Sequence, residues 1–341
     1  MILAGGLSTR LYPLTKTVPK PLVPVLGEPN AAHVVRYLKK YGFTDIATNV
    51  FYHKDAIRAA LGDGSRFGVR LRYLDEPVLS GSAGAVKLME PFFRDADPFV
   101  VIGCDDLTDL PLDALVDFHR DRKAVATIGL VERDDVSEYG VVVLDERGKI
   151  VGFQEKPAPG TEMSRLVNTG VYVFSPGIFE RIPGGEVYDF GKQVFPKLQE
   201  DGAAFYGFQA RDAYWCDIGT PGEYRRVTHD LLAGLFTIPE TRGSGVDSSA
   251  RVSRGARIEE PVWIGAHARI ASGASVIGPS VIGDCVVVES GARIERSIIW
   301  ENSSIGSGAR LRDAIVGGSY RVAPNATLDG AIVANDSDVV S

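Results

Sequence analysis

Near the start of the chain, glycines and cations occur together in an arrangement that suits binding of a phosphate group. Gly5 and Gly6 follow a very short apolar strand, and Arg10 comes soon after them. Because glycine has no Cβ, the backbone N–H groups of such a loop can approach an anion, and the Arg10 guanidinium offers phosphate oxygens a bidentate fork. Lys20, between two prolines, supplies a second cation on a stiff segment. Alone, this pattern also fits an ordinary turn with surface charges.

The overall composition limits what kind of protein could bind such a phosphate. The chain has 341 residues, 45% of them hydrophobic and 24% charged, which suggests about two domains with buried cores. Its net charge of −7 argues against a general binder of nucleic acid or of acidic membranes, since such proteins need a basic surface. Three widely spaced cysteines exclude a disulfide framework, and no run of about 18 apolar residues occurs. A chain that opens on Met1–Gly6 without a basic leader is expected to be cytoplasmic.

Strand-like and helix-like segments alternate over the first 235 residues. The predicted strands are Ile46–Val50, Val69–Leu74, Phe99–Gly103, Ala124–Val131 and Gly170–Phe174, and the predicted helices are Ala31–Tyr41, Lys54–Leu61 and Leu112–Arg120. This alternation predicts an α/β domain with a mainly parallel, Rossmann-like sheet covered on both faces. In such a domain, ligands lie beyond the carboxyl ends of the strands.

From Val246 onward an aliphatic residue recurs at every sixth position, and small residues or glycine often stand nearby. Nine such residues occur without interruption: Val246, Val252, Ile258, Ile264, Ile270, Val276, Ile282, Val288 and Ile294. A period of six would scatter these side chains around an α-helix. It suits a triangular prism of short parallel strands with the aliphatic side chains inside. The pattern therefore predicts a left-handed parallel β-helix.

The six-residue period breaks after Ile294 and then resumes twice. It resumes at Ile305 and Leu311, and again at Val322 and Leu328. We expect inserted loops in two places to be the cause. Thr237–Gly245 contains proline and glycine without periodicity, which is typical of a linker. The predicted organisation is an α/β domain at 1–236, a linker at 237–245 and a β-helix at 246–341.

The N-terminal residues and several later segments together resemble the sugar-1-phosphate nucleotidylyltransferases, also called nucleoside-diphosphate-sugar pyrophosphorylases. Residues 3–15 are similar to the family's LAGGxxTRLxPLT signature, and Pro19–Pro21 to its PKP. Further motifs follow in the family's order: Gly81–Ala85 (GSAGA), Cys104–Asp109 (CDDLTD), Phe153–Pro157 (FQEKP), Asn168–Gly170 (NTG), Asp189–Lys192 (DFGK) and Trp215–Pro221 (WCDIGTP). The resemblance spans the whole catalytic region. The β-helix tail fits the subset that resembles mannose-1-phosphate guanylyltransferase.

The resemblance implies transfer of a nucleoside monophosphate from a nucleoside triphosphate to a sugar 1-phosphate, or to a sugar-like cyclitol 1-phosphate, with release of pyrophosphate. The attacking phosphate is already ionised, so catalysis should consist of cations and positioning. The resemblance assigns Arg10 and Lys20 to the triphosphate. It assigns Asp105 and Asp217 to Mg²⁺, which takes one or two carboxylates besides phosphate oxygens. These two aspartates are 112 positions apart, so the fold must bring them together.

Family positions for the two substrates carry over residue by residue. On the nucleotide side they are Leu3, Ala4, Gly5, Gly6, Glu76 and Gly81. On the sugar phosphate side they are Gly140, Glu155, Lys156, Asn168 and Lys192. Lys156 is expected to hold the sugar phosphate and Glu155 to accept hydrogen bonds from sugar hydroxyls, although a Glu–Lys pair at a strand edge is often only a surface pair. For Lys192 the alternatives are a further phosphate cation and a surface lysine.

Glu76 bears on the choice of nucleobase. Family members that take uridine or thymidine triphosphate tend to have glutamine about five residues before the glycine of the GTAGA-like segment, and here Glu76 stands five before Gly81. A carboxylate only accepts hydrogen bonds, so it suits the N1–H and N2–H₂ edge of guanine, whereas uracil and thymine also need a donor. We expect GTP to be favoured. The alternative is a Glu76 that faces solvent and recognises nothing.

Some positions depart from the family pattern or have simpler explanations. Ser8 stands where many relatives have glycine, Cys104 replaces the glycine before the first metal aspartate, and Ser80 adds a residue before GSAGA. Asp106 and Asp109 are expected to be solvated loop or cap residues. The departures are compatible with an altered substrate, such as a modified sugar or a cyclitol phosphate, and equally compatible with drift.

Other classes of protein were weighed against this one. A dinucleotide-dependent dehydrogenase is excluded, because no GxGxxG fingerprint follows a strand. A β-helix acyltransferase would use His267 as its base, but no second catalytic group accompanies it. The serious rival is a catalytically silent relative that binds nucleotide sugars and regulates or scaffolds. The β-helix also predicts a homo-oligomer, a dimer or tetramer, with a monomeric cap as the alternative.

Overall fold

The computed structural model describes residues 1–6 and 8–335, which form two compact units. The first unit consists of residues 1–6 and 37–216, and the second of the described part of 7–36 and 217–341. The helix Asn30–Lys40 belongs to both. Within the described residues no helix is long and apolar enough to span a membrane, and the longest, Pro221–Leu232, has 12 residues.

A nine-stranded sheet runs through the first unit. Its main path is Ile150–Glu155, Gly140–Leu144, Leu166–Phe174, Phe99–Gly103, Ile2–Leu3, Asp45–Val50 and Arg70–Asp75; Ala126–Glu132 also pairs with Leu166–Phe174, and Phe205–Gln209 with Ala126–Glu132. The strands from Phe99–Gly103 to Arg70–Asp75 are parallel, whereas Leu166–Phe174 is antiparallel to each strand it pairs with. The predicted Rossmann-like α/β fold is confirmed, with a parallel half and an antiparallel half in which only Phe205–Gln209 runs parallel to its neighbour, Ala126–Glu132, among the described strands.

The first unit also contains helices and helical turns, which lie between its strands in the chain. They are Lys54–Leu61, Gly81–Leu88, Glu90–Phe93, Leu112–Asp121 and Phe195–Glu200, with the π-helical turn Phe190–Val194 and the 3₁₀ turns Ser65–Phe67 and Pro176–Arg181. The helix Lys54–Leu61 has its predicted bounds. The strand Leu166–Phe174 begins before the predicted Gly170, because the polar Asn168 and Thr169 interrupt an apolar run without ending the strand.

Stacked aromatic rings hold the π-helical turn against the sheet. Ring centroids lie 4.8 Å apart between Phe174 and Phe190, 5.5 Å between Phe190 and Phe195, and 5.2 Å between Phe195 and Phe205. Each of these side chains is at most 1% exposed. Such pairs contribute about 0.5–1.5 kcal/mol each beyond the burial of their area. The turn that carries the DFGK motif is therefore anchored in the core.

The second unit begins with short elements and one longer helix. The 3₁₀ turns are Thr9–Leu11, Leu14–Lys16 and Lys20–Leu22, and the hairpin strands are Pro24–Val25 and Glu28–Pro29. The helix Pro221–Leu232 has proline in its first turn, and the Thr220 side chain accepts a hydrogen bond from the Glu223 N–H at 3.2 Å. Threonine before proline is a strong helix start, because each removes an unsatisfied backbone donor.

Three parallel sheets make up the β-helix, and each coil contributes a strand to them in turn. The first sheet contains Gly245–Val246, Val262–Ile264, Ser280–Ile282, Ile298–Ile299, Ile315–Val316 and Ile332–Val333. The second contains Arg251–Val252, Arg269–Ile270, Val287–Val288, Ser304–Ile305 and Arg321–Val322. The third contains Arg257–Glu259, Ser275–Ile277, Arg293–Glu295, Arg310–Arg312 and Thr327–Asp329. From Ile258 onward the aliphatic residues of the six-residue pattern stack in a shared core, which confirms the predicted left-handed parallel β-helix. Val246 and Val252 of the first coil, which were also predicted to lie inside, are exposed.

The break in the six-residue period comes from shorter coils. In the first sheet Ile264 pairs with Ile282, a spacing of 18 residues, whereas Ile282 pairs with Ile299 and Ile299 with Val316, a spacing of 17. The shortened corner lies between the third and first sheets, where Arg296 has a positive φ of 50°. The expectation of inserted loops was wrong, because a one-residue deletion shifts an aliphatic pattern just as an insertion does.

The first β-helix sheet is apolar on its outer face as well as on its inner one. Trp263, Val281, Ile298 and Ile315 form one outward column and are 7%, 4%, 1% and 0% exposed. A Cβ at Gly27 would lie 2.4 Å from the Trp263 ring, so the hairpin turn packs directly on this column. The second unit thus covers one face of the prism with its own chain.

The helix Pro221–Leu232 is tied to the same face by Tyr224. This side chain is fully buried, donates to the Pro24 carbonyl at 2.5 Å and accepts from Trp300 Nε1 at 2.9 Å. Arg225 also donates to the Asp313 carbonyl. Both hydrogen-bonding capacities of the buried hydroxyl are used, which removes the penalty of burying it.

The segment predicted to be a linker, Thr237–Gly245, makes specific contacts through Thr241. His33 is 1% exposed, and its Nε2 donates to the Val25 carbonyl at 2.9 Å. The Nδ1 of His33 is therefore an acceptor in the neutral ring, and it faces the Thr241 hydroxyl at 3.1 Å. Burial lowers the pKa of His33 to about 4.

The buried, neutral His33 predicts a loss of stability in acid. The unfolded chain binds this proton near pH 6.5 and the folded chain only near pH 4, so stability is lost as the pH falls from 6.5 toward 4. Between pH 7 and pH 5 this one histidine should remove about 2 kcal/mol from the free energy of unfolding. In urea denaturation, His33→Gln should show a pH dependence weaker by that amount, since its amide can still donate to the Val25 carbonyl. The same pH dependence in both proteins would contradict the prediction.

Candidate active site

Ala4 and Gly5 begin the predicted phosphate-binding loop directly after the first strand. The Ala4 N–H donates to Asn49 Oδ1 at 2.9 Å. A Cβ at Gly5 would lie 2.6 Å from Asn49 Nδ2 and 3.2 Å from Glu76 Oε2. Glycine is required at position 5 because these side chains, from the two neighbouring strands, lie against its Cα. Among the described residues, no atom outside the chain neighbours of Gly6 lies within 4 Å of its Cβ position.

Glu76 is buried just after the strand Arg70–Asp75, with 6% of its surface exposed. Its Oε2 accepts from Asn49 Nδ2 at 3.2 Å and its Oε1 from Ser80 Oγ at 2.6 Å. The alternative of a solvent-facing Glu76 is therefore wrong, and the additional Ser80 has a structural role. An ionised carboxylate has about four lone-pair sites, so two remain for a further donor.

Gly81 starts the helix Gly81–Leu88 in a conformation that other residues rarely adopt. Its φ is +79°, and a Cβ there would lie 2.5 Å from the Tyr188 carbonyl oxygen. The N–H and the hydroxyl of the next residue, Ser82, both lie 3.1 Å from Asp189 Oδ1. The nucleotide-side motif GSAGA and the sugar-side motif DFGK are thus connected within the first unit.

Asp105 follows the carboxyl end of the strand Phe99–Gly103, as predicted. Its Oδ1 lies 2.7 Å from the position that a Cβ at Gly103 would occupy. Asp106 is 6% exposed and accepts from the Gly103 N–H at 2.9 Å and from Trp215 Nε1 at 3.1 Å. The expectation that Asp106 is a solvated loop or cap residue was wrong, because a buried carboxylate with two donors is a structural link.

Asp109 connects the CDDLTD motif to the WCDIGTP motif. Its Oδ1 accepts from the Tyr214 N–H at 2.7 Å, and the Thr108 hydroxyl donates to the Tyr214 carbonyl at 2.7 Å. The strand Asp106–Thr108 pairs with the strand Trp215–Asp217. Asp109 therefore serves as a turn residue that fixes the chain ahead of the second motif.

Four residues on the sugar side lie together in the first unit. Glu155 pairs in register with Gly140 between antiparallel strands. Its Oε2 lies 3.2 Å from the Cβ position of Gly140 and 2.9 Å from that of Gly191. The Asn168 Cβ lies 3.5 Å from the same position at Gly140. The structure thus brings together three predicted sugar-side residues and one, Gly191, that was not singled out.

Asn168 is oriented by a bulge in its own strand, between Asn168 and Tyr172. Gly170 has a φ of +77° there, and its N–H donates to Asn168 Oδ1 at 2.9 Å. Asn168 Nδ2 donates to the Tyr172 hydroxyl at 3.1 Å. Burial raises the pKa of Tyr172, so the phenol stays protonated and neutral.

The two lysines assigned to the sugar phosphate are exposed and lie near carboxylates. Lys156 Nζ is 3.6 Å from Glu138 Oε2, and Lys192 Nζ is 3.9 Å from Asp189 Oδ2. Lys156 also has a positive φ of 45°. Surface ion pairs of this kind contribute about 0–1 kcal/mol, so they can be exchanged for a phosphate without a large loss.

In the second unit, the side chains of Arg10 and Asp217 both lie next to the Cα of Gly219. A Cβ at Gly219 would lie 2.5 Å from Asp217 Oδ2 and 3.5 Å from Arg10 Nη2. Arg10 is exposed and Asp217 half-buried. The structure thus brings a carboxylate and a guanidinium, both predicted site residues, to the same glycine.

Ser8 and Lys20 lie on the turns that surround Arg10 in the chain. Ser8 has a φ of 55°, in the left-handed region where glycine is unstrained, and its carbonyl accepts from the Thr15 hydroxyl at 2.7 Å. The serine thus keeps a backbone conformation that glycine would adopt freely. Lys20 begins the turn Lys20–Leu22 with a half-buried side chain.

Sequence reasoning missed three residues that lie beside the assigned ones. Gly191 and Gly219 stand inside the DFGK and WCDIGTP motifs, and this position within a matched motif was the signal available in the sequence. Asn49 had a weaker signal, since it is a polar residue near the end of the apolar run Ile46–Val50. By contrast, His267 is exposed, as expected of a surface histidine.

Two family models match the chain. One described as "Nucleotidyl transferase" matches residues 1–234, and one described as "GMPPB C-terminal domain" matches residues 243–340.

Among curated proteins, the chain is 39% identical over 329 residues to a UTP–glucose-1-phosphate uridylyltransferase of Synechocystis sp., covering 90% of this chain and 84% of that protein. It is 35% identical over 302 residues to a mannose-1-phosphate guanylyltransferase of Mycobacterium tuberculosis, covering 87% and 82%. Among solved structures it is similar to a putative glucose-1-phosphate thymidylyltransferase from Bacillus anthracis in complex with a sucrose. The TM-score is 0.59 and the identity 29%, over 67% of this chain and 92% of that one.

Proposed function

Because this chain belongs to the nucleotidyl transferase family of sugar-1-phosphate enzymes, we propose that it transfers guanosine monophosphate from GTP to a sugar 1-phosphate or a sugar-like cyclitol 1-phosphate. The observation that carries the choice of GTP is the buried carboxylate of Glu76 beside the glycine loop. The proposal also includes association of two or four copies through the β-helix.

In the proposed reaction, an oxygen of the sugar 1-phosphate attacks the α-phosphorus of GTP in line. A new P–O bond forms as the bond from the α-phosphorus to the bridging oxygen of the β-phosphate breaks, and pyrophosphate leaves. No proton has to be removed from the nucleophile, so the barrier comes mainly from repulsion and alignment of two anions. Arg10 and Lys20 bind the triphosphate and offset the charge that develops on its α-phosphoryl group.

Asp105 and Asp217 are the residues that would hold Mg²⁺. Carboxylate oxygens are hard ligands, and Mg²⁺ needs only one or two of them when phosphate oxygens complete its coordination. The absence of a side chain at Gly219 leaves Asp217 Oδ2 room for such a ligand role. When bound, the ion supplies positive charge that lowers the repulsion between the two polyanions.

On the sugar side, Glu155 and Asn168 orient the hydroxyls while the lysines bind the phosphate. Glu155 offers acceptors in the space that Gly140 and Gly191 leave open, and Asn168 is held there by its strand bulge. Lys156 and Lys192 would exchange their present carboxylate neighbours for phosphate oxygens. Holding both anions in line supplies much of the acceleration.

A pyrophosphate-release assay with Mg²⁺ tests the proposal. A panel of sugar and cyclitol 1-phosphates is crossed with GTP, ATP, UTP, CTP and dTTP, and kcat/KM is compared across it. We expect turnover, with GTP as the best triphosphate. Absence of turnover with every pair would favour the regulatory or scaffolding relative, and a preference for UTP, as the name of the Synechocystis relative suggests for that protein, would remove the guanine assignment.

The variant Glu76→Gln should shift the choice of triphosphate toward UTP or dTTP. The amide adds a donor that uracil and thymine can use and removes one acceptor for the guanine edge. One misplaced hydrogen bond of this kind changes relative kcat/KM by about tenfold. Unchanged selectivity in Glu76→Gln would take Glu76 out of nucleobase recognition.

A further inference from the structure

Glu76 is one member of a short chain of hydrogen bonds, two of them buried and one partly buried, that the transfer reaction does not itself require. The Ala4 N–H donates to Asn49 Oδ1 at 2.9 Å, Asn49 Nδ2 donates to Glu76 Oε2 at 3.2 Å, and Ser80 Oγ donates to Glu76 Oε1 at 2.6 Å. Asn49 is 4% exposed. The chain thus runs from the backbone of the glycine loop to the carboxylate and ends on the segment before GSAGA.

The first of these bonds determines which way the Asn49 amide faces. A backbone N–H can only donate, so the oxygen of Asn49 faces Ala4 and its NH₂ group faces Glu76. The NH₂ group in turn needs an acceptor at position 76. The Ala4 N–H thus fixes the orientation of the Asn49 amide, and the amide in turn presents a donor to Oε2 of Glu76. Ser80 supplies a donor to the other oxygen, Oε1.

We propose that Asn49 is a positioning residue for nucleobase selection, which holds Glu76 as an acceptor in one orientation toward the N1–H and N2–H₂ edge of guanine. The inference rests on the proposed role of Glu76 in recognising the base. Gly5 is part of the same arrangement, since its missing Cβ is what lets Asn49 and Glu76 approach the loop. Ser80 completes it by fixing the second carboxylate oxygen.

The isosteric variant Asn49→Asp distinguishes a role of Asn49 in positioning Glu76 from a role in packing alone. It keeps the shape and the acceptor for Ala4, but it replaces the donor toward Glu76 with a second carboxylate. Two carboxylates this close do not ionise independently. At low pH they share a proton, whereas at high pH both are ionised and repel each other. A packing role predicts only a loss of stability, whereas positioning predicts a change in base selectivity that depends on pH.

The test is the kcat/KM for GTP, ITP and UTP in the wild-type protein and in Asn49→Asp between pH 6 and pH 9. ITP lacks the N2 amine of guanine and so reports on that contact. We expect Asn49→Asp to lower the ratio of kcat/KM for GTP over UTP about tenfold at high pH, as expected for loss of one hydrogen bond to a charged group. The ratio should recover in part toward pH 6, where the shared proton restores a donor between the two carboxyls.

Thr48→Val is the matched control. Thr48 precedes Asn49 on the same strand, is 2% exposed, and its hydroxyl lies 3.5 Å from the Asn49 carbonyl. This variant removes a buried polar group of similar size without touching Glu76. Its stability can change, but its GTP-to-UTP ratio should stay within about twofold of the wild type at each pH.

A ratio for Asn49→Asp within twofold of the wild type at every pH would overturn the inference. If the wild-type protein prefers UTP, the guanine assignment fails, but a shifted ratio in Asn49→Asp still supports a positioning role. If no pair of substrates turns over, the dissociation constants for GTP, ITP and UTP supply the ratio, with the same two outcomes. If Asn49→Asp does not fold, Ser80→Ala takes its place, and it should lower the ratio severalfold or count against the inference.

Discussion

Asp105→Asn and Asp217→Asn are each expected to lower kcat at least ~100-fold while the fold stays intact. Asparagine has the shape of aspartate, but it lacks the negative charge that binds a divalent cation and turns a donor toward it. Because the reaction needs no general base, charge compensation between the two anions is the main contribution to rate, and these variants remove part of it. The measurement is pyrophosphate release at saturating substrates, with thermal melting to show that the variants fold.

Asp109→Asn is the control for this experiment. It lies in the same motif as Asp105, but it accepts the Tyr214 N–H through Oδ1, which an amide oxygen can also do. Its turnover should therefore remain close to that of the wild type. Near-normal turnover in Asp105→Asn or in Asp217→Asn would contradict the assignment of that residue as a Mg²⁺ ligand.

Gly219→Ala is expected to lower kcat/KM by about 100-fold, comparable to the effect of displacing a reacting group by 1 Å. The added methyl group would lie 2.5 Å from Asp217 Oδ2 and 3.5 Å from Arg10 Nη2, so the carboxylate has to move. Gly219 does not have a positive φ, so alanine introduces no backbone strain there. A titration of Mg²⁺ in the pyrophosphate-release assay should also show half-maximal rate at a higher Mg²⁺ concentration.

Gly222→Ala provides the comparison for Gly219→Ala. It lies three residues further on, in the helix Pro221–Leu232, and the nearest atom to its Cβ position is Thr220 Oγ1 at 3.7 Å. Alanine favours a helix by about 0.5–1 kcal/mol over glycine, so this variant should be slightly stabilised with unchanged activity. Equal activity in Gly219→Ala and Gly222→Ala would show that the space beside Asp217 has no role.

The parts of the fold that repeat locally could be predicted from the sequence. The six-residue period identifies the β-helix because each coil buries the same inward positions, so the signal recurs at every turn. The antiparallel half of the large sheet could not be predicted in the same way. The strand Gly140–Leu144 pairs with Ile150–Glu155 on one side and with Leu166–Phe174 on the other, and a local run of residues does not specify its partner or its direction.

In the candidate site, too, local features could be predicted from the sequence and contacts between distant segments could not. The motifs predicted that Asp105 follows a strand end and assigned Gly140, Glu155 and Asn168 to one substrate, because each motif is a short segment that can be matched without knowing its partners. The burial of Asp106 was missed, since its partner Trp215 is 109 positions away. The hydrogen bond from Asn49 to Glu76 was missed for the same reason, because it joins the ends of two neighbouring strands. The family itself was predicted correctly from the motifs and is confirmed by the match to residues 1–234.

One face of the prism is covered by the hairpin of its own unit, and this limits how copies of the protein could assemble. The two remaining faces bear exposed arginines: Arg251, Arg269 and Arg321 on the second sheet, and Arg257, Arg293 and Arg310 on the third. A contact between two such faces would bring arginines together, so it would strengthen as salt screens their repulsion. Ionic strength, more than protein concentration alone, would then decide how many copies stay together.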